Sequence, residues 1–315
     1  MFGMCRHRLW LLTAVLLPAL LGAASAPGPR ILFIGNSFTF AFGSPARYYR
    51  PDSVVDLNSE GQGGVPALFK SFTVQAGLHY DVALETHPGV GLDWHLQHKR
   101  ALLTGRAWDQ VVMHGYSTLD PVHPGDPALL IDTVRQLSAL LHAKNPAVTV
   151  RLLATWPRAD ETYGLQGAWH GKPIEAMAAD VREGYRRAAE APGIAAVIPV
   201  GDSWVRAMHE GVADPDPYDG LEPGKVNLWA DDSYHASIYG SYLEALMVFG
   251  AVTGRDPRGL GQAECSAFEL GLSVAQVEGL ERVASEQLAA EGLLSQPSLP
   301  AARSGAPQPC TASRR

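Results

Sequence analysis

Two short segments carry the residue types that nucleophilic catalysis requires. The first is Arg30-Ile31-Leu32-Phe33-Ile34-Gly35-Asn36-Ser37-Phe38-Thr39, an apolar β-type run that passes straight into a glycine and then a serine. Glycine permits a tight turn, so Ser37 would emerge just beyond the carboxyl end of a strand. A hydroxyl there can meet a substrate while its own N–H faces a developing oxyanion. The same serine could equally be the N-cap of a following helix. The second segment is Ala230-Asp231-Asp232-Ser233-Tyr234-His235, which leads into helical periodicity beginning near Ser237. A turn before a helix can fold Asp232 and His235 onto one side, so that His235 takes the Ser37 proton while Asp232 orients its ring. A D-x-x-H tetrad also arises by chance, and either acid could cap the helix. The two segments in this order, at opposite ends of one chain, point to acyl transfer.

The elements between them must bring these ends together. Apolar or β-branched runs predict strands at Ile31–Ile34, at Val54–Leu57 or Val82–Leu84, and at Gln110–His114, Val148–Ala154 and Ala195–Val200. Helical spacing predicts helices over Pro127–Lys144, Ile174–Ala189, Ser203–His209 and Ile238–Val252. Strands alternating with helices imply one doubly wound α/β domain over residues 27–294, with a mostly parallel five-stranded sheet covered on both faces. Reactive groups should collect beyond the carboxyl ends of its strands. The segment Ala41–Gly64 is long and carries glycine and proline, and it reads as a mobile flap or an inserted hairpin around Val54–Leu57.

Composition bounds the partners. A net charge of −7 over 315 residues, with 18% charged residues and no basic run, argues against nucleic acid. Residues 1–26 read as a signal peptide: Arg6 and Arg8, an apolar run Leu9–Leu21, then Ala24-Ser25-Ala26. That run is short for a membrane span, which needs about 20 residues, so the mature protein is expected in the periplasm or secreted, without stable membrane insertion. Cys5 would leave with the signal, and export permits a Cys265–Cys310 disulfide, with two free thiols as the alternative. Residues 295–315, rich in Pro, Ser and Ala, read as a disordered tail. The scattered histidines have no ligand-like repeat, so no metal is expected, and His95 and His114 are expected to hydrogen-bond near the pocket. Gly61-Gln62-Gly63-Gly64 lacks the G-K-[ST] of a phosphate loop, and the chemistry calls for no organic cofactor. Trp156, just after a strand, is either a substrate platform or core.

Gly35-Asn36-Ser37-Phe38-Thr39 resembles the first block of the SGNH, or GDSL-like, serine hydrolases, in a bacterial branch with G-N-S in place of G-D-S. Asp232-Ser233-Tyr234-His235 resembles the last block, D-x-x-H, with Ala236 where proline commonly follows. Between them, Pro88-Gly89-Val90-Gly91-Leu92-Asp93-Trp94-His95 resembles the branch's G-G-x-[ST]-L-x-x-H. Trp108-Asp109-Gln110-Val111-Val112-Met113-His114-Gly115-Tyr116-Ser117 resembles its W-D-x-V-V-[LM]-Q-x-x-S, with His114 replacing Gln. The resemblance implies a flavodoxin-like, three-layer α/β/α SGNH-hydrolase fold. It implies Ser37 as nucleophile with Asp232 and His235, and an oxyanion hole from the N–H groups of Ser37 and Gly89 with the Ser117 hydroxyl at the usual Asn position. Gly91, or Gly63 and Gly64, are the alternatives to Gly89. The implied activity is hydrolysis of carboxylic esters through an acyl-enzyme, with O-acetyl groups on carbohydrate as the expected substrate. O-acyl transfer, lipid or aryl ester hydrolysis, and a silent carbohydrate-binding module are the rivals. Oligomeric state is left open.

Overall fold

A computed structural model of the chain describes Met1 and residues 28–262 and 264–295, so the expected signal peptide apart from Met1, and all of the expected tail but Ser295, Cys310 included, lie outside the described residues. Six strands form one parallel sheet: β1 (Arg30–Gly35), β2 (Val55–Asp56), β3 (Asp81–Thr86), β4 (Gln110–Met113), β5 (Thr149–Ala154) and β6 (Ile194–Pro199). Their order is β2-β3-β1-β4-β5-β6, which places β1 in the interior between β3 and β4. The fold class is as expected, but the strand count is six rather than five. Both segments that competed for one position are strands, and β2 is a two-residue edge strand paired in parallel with Ala83 and Leu84. It ends where the Asp56 carboxylate accepts the N–H groups of Asn58, Glu60 and Gln62.

That pairing also corrects the reading of Ala41–Gly64. A hairpin would add antiparallel strands, whereas β2 extends the sheet in parallel. The segment is tied down further by bonds from Gly63 N to Arg47 O (2.7 Å) and from Val65 N to Thr39 O (3.0 Å).

Helices cover both faces. In chain order they are α1 (Gly64–Gln75), α2 (Leu92–His98), α3 (Arg100–Thr104), α4 (Ala128–Lys144), α5 (Ala159–Thr162), α6 (Ile174–Ala188), α7 (Val200–His209), α8 (Ile238–Thr253), α9 (Cys265–Glu269) and α10 (Val274–Ala290). Alternation along β1 sorts them into layers. Ile31 and Phe33 pack into the core built by α1, α7, α8 and α10, while Leu32 and Ile34 pack into the core built by α2, α4 and α6. A fully buried side chain of this size contributes roughly 1.5–3 kcal/mol. Four in succession make β1 a rigid base for the serine that follows it. Helix α8 is enclosed and largely apolar, with Ser241 and Glu244 the buried polar exceptions, as its position between α1, α7 and α10 requires. Helix α10 starts in a capping box of Ser273 and Gln276 and buries the polar Glu281, Ser285 and Gln287 beside its leucines.

Candidate active site

Ser37 follows β1 directly. Gly35 is needed for space and not for its backbone freedom: its φ is not positive, but an added Cβ would lie 2.2 Å from Thr39 Oγ1 and 2.5 Å from His114 Nε2. This replaces the expectation of a glycine-dependent tight turn. After Ser37 the chain makes irregular turns, with bonds from Ala41 N to Phe38 O and from Phe42 N to Ser37 O and with Ala41 in left-handed backbone (φ 57°). No regular helix starts there, so Ser37 is not a helix cap.

Asn36 fixes the turn. Its Oδ1 accepts the Phe38 N–H (3.1 Å), and its Nδ2 donates to Val90 O (2.9 Å) and Gly115 O (3.4 Å). One amide thereby joins the nucleophile turn to the loops after β3 and β4. A carboxylate at this position could not donate to those two carbonyls.

The closing segment is built around a left-handed residue, Ser233 (φ 56°). Such backbone is unfavourable for a residue with a side chain and needs external support. Trp156 Nε1 donates to Tyr234 O (3.1 Å), Asp160 N donates to Ser233 O (3.2 Å), and Ala230 N donates to His235 O (2.7 Å). Ser237 then caps α8, its Oγ accepting the N–H groups of Tyr239 and Gly240. In the resulting loop, Asp232 Oδ1 accepts the N–H groups of Tyr234 (3.0 Å) and His235 (2.9 Å), and Asp232 Oδ2 lies 2.6 Å from His235 Nδ1. His235 Nε2 lies 2.9 Å from Ser37 Oγ. Partial burial raises the Asp232 pKa, but the bonds from the His235 ring and from the two backbone N–H groups lower it further, so the carboxyl sits below its usual range. The ring can therefore donate through Nδ1 and leave Nε2 to accept the serine proton. Asp231, the neighbouring acid, is exposed.

No family model and no curated protein sequence matches the chain. Solved structures do. A candidate GDSL-like lipase from Parabacteroides merdae superposes with a TM-score of 0.51 at 16% identity, over 72% of this chain and 96% of that one. An alpha/beta hydrolase enzyme from the metagenome of Lake Arreo, Spain, gives 0.51 at 19% identity, over 73% and 96%. The chain has the SGNH-hydrolase fold.

Within that SGNH fold the two loops flanking β1 differ in character. Gly89, in left-handed backbone (φ 72°), lies at the exposed tip of the loop after β3. The competing glycines are otherwise engaged. Gly91 packs against the Tyr116 ring. Gly63 donates to Arg47 O, and Gly64 packs on the Thr39–Phe40 backbone. In the loop after β4, Ser117 is buried, and its Oγ accepts a bond from Arg158 Nη1 (3.3 Å).

Three other expectations concern residues near the site. His114 is fully buried: its Nδ1 donates to Gly115 O (3.0 Å), so Nε2 accepts from Thr39 Oγ1 (2.8 Å). Burial, joined by the nearby His95, lowers its pKa to about 4 against the opposing pull of the Gly115 carbonyl, leaving a neutral ring under the turn. The His95 ring lies with its Nδ1 against a Glu85 carboxylate oxygen, both side chains wholly buried. Trp156 is core: it is fully buried, stacked on Phe38 (3.9 Å) and on Trp204 (4.9 Å). The aromatic ring that does face solvent beside His235 is Phe42, 41% exposed with its centroid 4.8 Å from the imidazole. Sequence reading passed over Phe42, Asn36 and Arg158. Only Asn36 carried a signal, as the amide next to the serine. Among the described residues, no three His, Cys, Asp or Glu side chains converge as metal ligands, and no helix is long and apolar enough to cross a membrane.

Proposed function

We propose that this protein is a serine hydrolase of the SGNH type that cleaves carboxylic esters through an acyl-enzyme. The observation that carries the reading is the unbroken run of short contacts from Ser37 Oγ through His235 to Asp232, at the carboxyl end of an interior strand. His235 Nε2 takes the Ser37 proton as Oγ attacks the ester carbonyl. The oxyanion is held by the N–H groups of Ser37 and Gly89 and by the Ser117 hydroxyl; one such donor typically lowers the barrier by about 2.7–4 kcal/mol. His235 then gives its proton to the departing alcohol. Water, deprotonated by the same nitrogen, attacks the acyl-serine and releases the acid with Ser37 restored. Asp232 orients the imidazole and stabilises the imidazolium.

The substrate we favour is an O-acetylated carbohydrate met outside the cytoplasm. The amino-terminal signal pattern supports export, and the disulfide at Cys265 suits an oxidising compartment. The exposed Phe42 ring beside the buried His235 supports a bulky alcohol. Phe42 offers a ring face there, and the Arg47 guanidinium lies 5.0–5.2 Å from the rings of Phe40, Phe42 and Tyr48. Acetate release from acetylated xylan and hydrolysis of p-nitrophenyl acetate test both levels. The full reading expects turnover of both substrates. Turnover of the aryl ester alone rejects the carbohydrate assignment, and turnover of neither rejects the hydrolase.

A further inference from the structure

We propose that Arg158 is a positioning residue for the oxyanion: it occupies the acceptor side of the Ser117 hydroxyl, so that the single hydroxyl hydrogen is left to point at the oxyanion formed on Ser37. The inference rests on the hydrolase reading above. A serine hydroxyl has one hydrogen and two lone pairs, and it rotates to suit its partners. Left alone at this position, it would be a weaker and less directed donor than an amide. Arg158 Nη1 donates to Ser117 Oγ over 3.3 Å, and Ser117 is buried. A cationic donor on one side of a hydroxyl polarises its O–H toward the other side.

Ser117 lies where such a donor would count. It is two residues beyond Gly115, whose carbonyl accepts from Asn36 Nδ2, and Asn36 is the residue before Ser37. Strands β1 and β4 are direct neighbours, so both loops leave the sheet side by side.

Arg158 is itself held on three sides. Its Nε and Nη2 bond the two oxygens of Asp160 (3.0 and 2.5 Å), and Nη2 lies 3.4 Å from Glu161. The guanidinium carbon lies 3.7 Å from the centroid of the Tyr234 ring, whose residue precedes His235. Two acids compensate the charge, and its donors are largely engaged. This favours a fixed structural cation acting on Ser117 over a receptor for an anionic substrate. The same arginine ties the Ser117 loop to the His235 loop through Tyr234.

The test is a double-mutant cycle on p-nitrophenyl acetate turnover, with wild type, Ser117→Ala, Arg158→Met and the double variant, each checked for a cooperative melt. Ser117→Ala should lower kcat by roughly 100-fold. Arg158→Met should lower kcat about tenfold, with KM within about twofold. In the Ser117→Ala background the same change should alter kcat by less than about twofold. Arg158→Lys keeps the charge that Asp160 and Glu161 require and guards against a folding failure. Its smaller loss should likewise vanish without the Ser117 hydroxyl. Equal losses in both backgrounds, a loss confined to KM, or no loss from either Arg158 variant overturns the inference while leaving the hydrolase intact. A folded wild type that fails to turn over the ester overturns both.

Discussion

Two regions of this molecule use carboxyl groups in opposite ways. At the carboxyl end of the sheet, Asp232 is 42% exposed at its side chain and collects three N–H groups, which hold it below the usual carboxylate range. In the layer formed by α8, α9 and α10, Glu244, Glu264 and Glu281 are buried, and burial pushes each of them up. Glu281, with Glu264 adding repulsion, is raised to about 9. One Glu244 oxygen and one Glu281 oxygen are buried with no hydrogen-bond partner among the described residues. The difference is depth of burial set against the supply of donors: Glu264 accepts from Ser266 N and Oγ, Ala267 N and the Tyr242 hydroxyl and is still pushed up. Where donors converge on a part-exposed carboxyl, the charge is retained and can act on a neighbour. Where burial outweighs the donors, the carboxyl is held above its usual range and serves as a packed polar side chain.

The largest expected effect breaks the comparison at its charged end. Asp232→Asn should lower kcat by roughly 10³–10⁴-fold with little change in KM, because the amide cannot stabilise the imidazolium and favours the wrong tautomer. Asp231→Asn, at the exposed acid next to it, should leave kcat within about twofold. If Asp231→Asn were the more damaging change, Asp232 would lose its assigned role.

At the buried end the readout is stability. The folded Glu281 pKa lies above the unfolded value of about 4.3, so its contribution is complete below that pH and is lost as pH rises toward about 9. Each pH unit crossed removes at most about 1.4 kcal/mol. Glu281→Gln keeps a neutral group of similar shape. Its Tm relative to wild type should therefore be higher at pH 8 than at pH 5. A difference that is the same at both pH values would show that Glu281 is not protonated in the fold.

A smaller effect lies between the regions, at the start of α8. Ser237→Ala removes the cap that accepts from Tyr239 and Gly240 and should cost about 1 kcal/mol, or about 2–4 °C in Tm. Melting curves check it. No change in Tm would mean that the loop holding His235 is anchored by Trp156, Asp160 and Ala230 without help from the cap.

Much of this was legible in the sequence where signals are local. The apolar run of β1 ending at Ser37, the Asp232–His235 spacing and the helical stripes of α4, α6 and α8 depend on neighbours within a few residues, and the structure has each near its expected limits. Strand β2 was ambiguous because two residues give no periodicity and their partner is β3, far along the chain. Helix α10 escaped notice because buried Glu281, Ser285 and Gln287 interrupt its apolar stripe. Arg158, followed by Asp160 and Glu161, reads as an ordinary exposed helix start. Its contact with Ser117 depends on two loops brought together by β4 and β5. Trp156 could be assigned to core only once Phe38 and Trp204 were seen to enclose it.

The account turns on Ser37 being activated by His235. Treatment of the native chain with a fluorophosphonate, read by intact mass and by mapping the modified peptide, addresses that directly. The account predicts a single adduct on Ser37, absent from Ser37→Ala and formed far more slowly in His235→Ala, with Asp231→Asn labelled at the wild-type rate. A folded protein that takes no label, an adduct at another residue, or labelling of Ser37 at an undiminished rate in His235→Ala would contradict it.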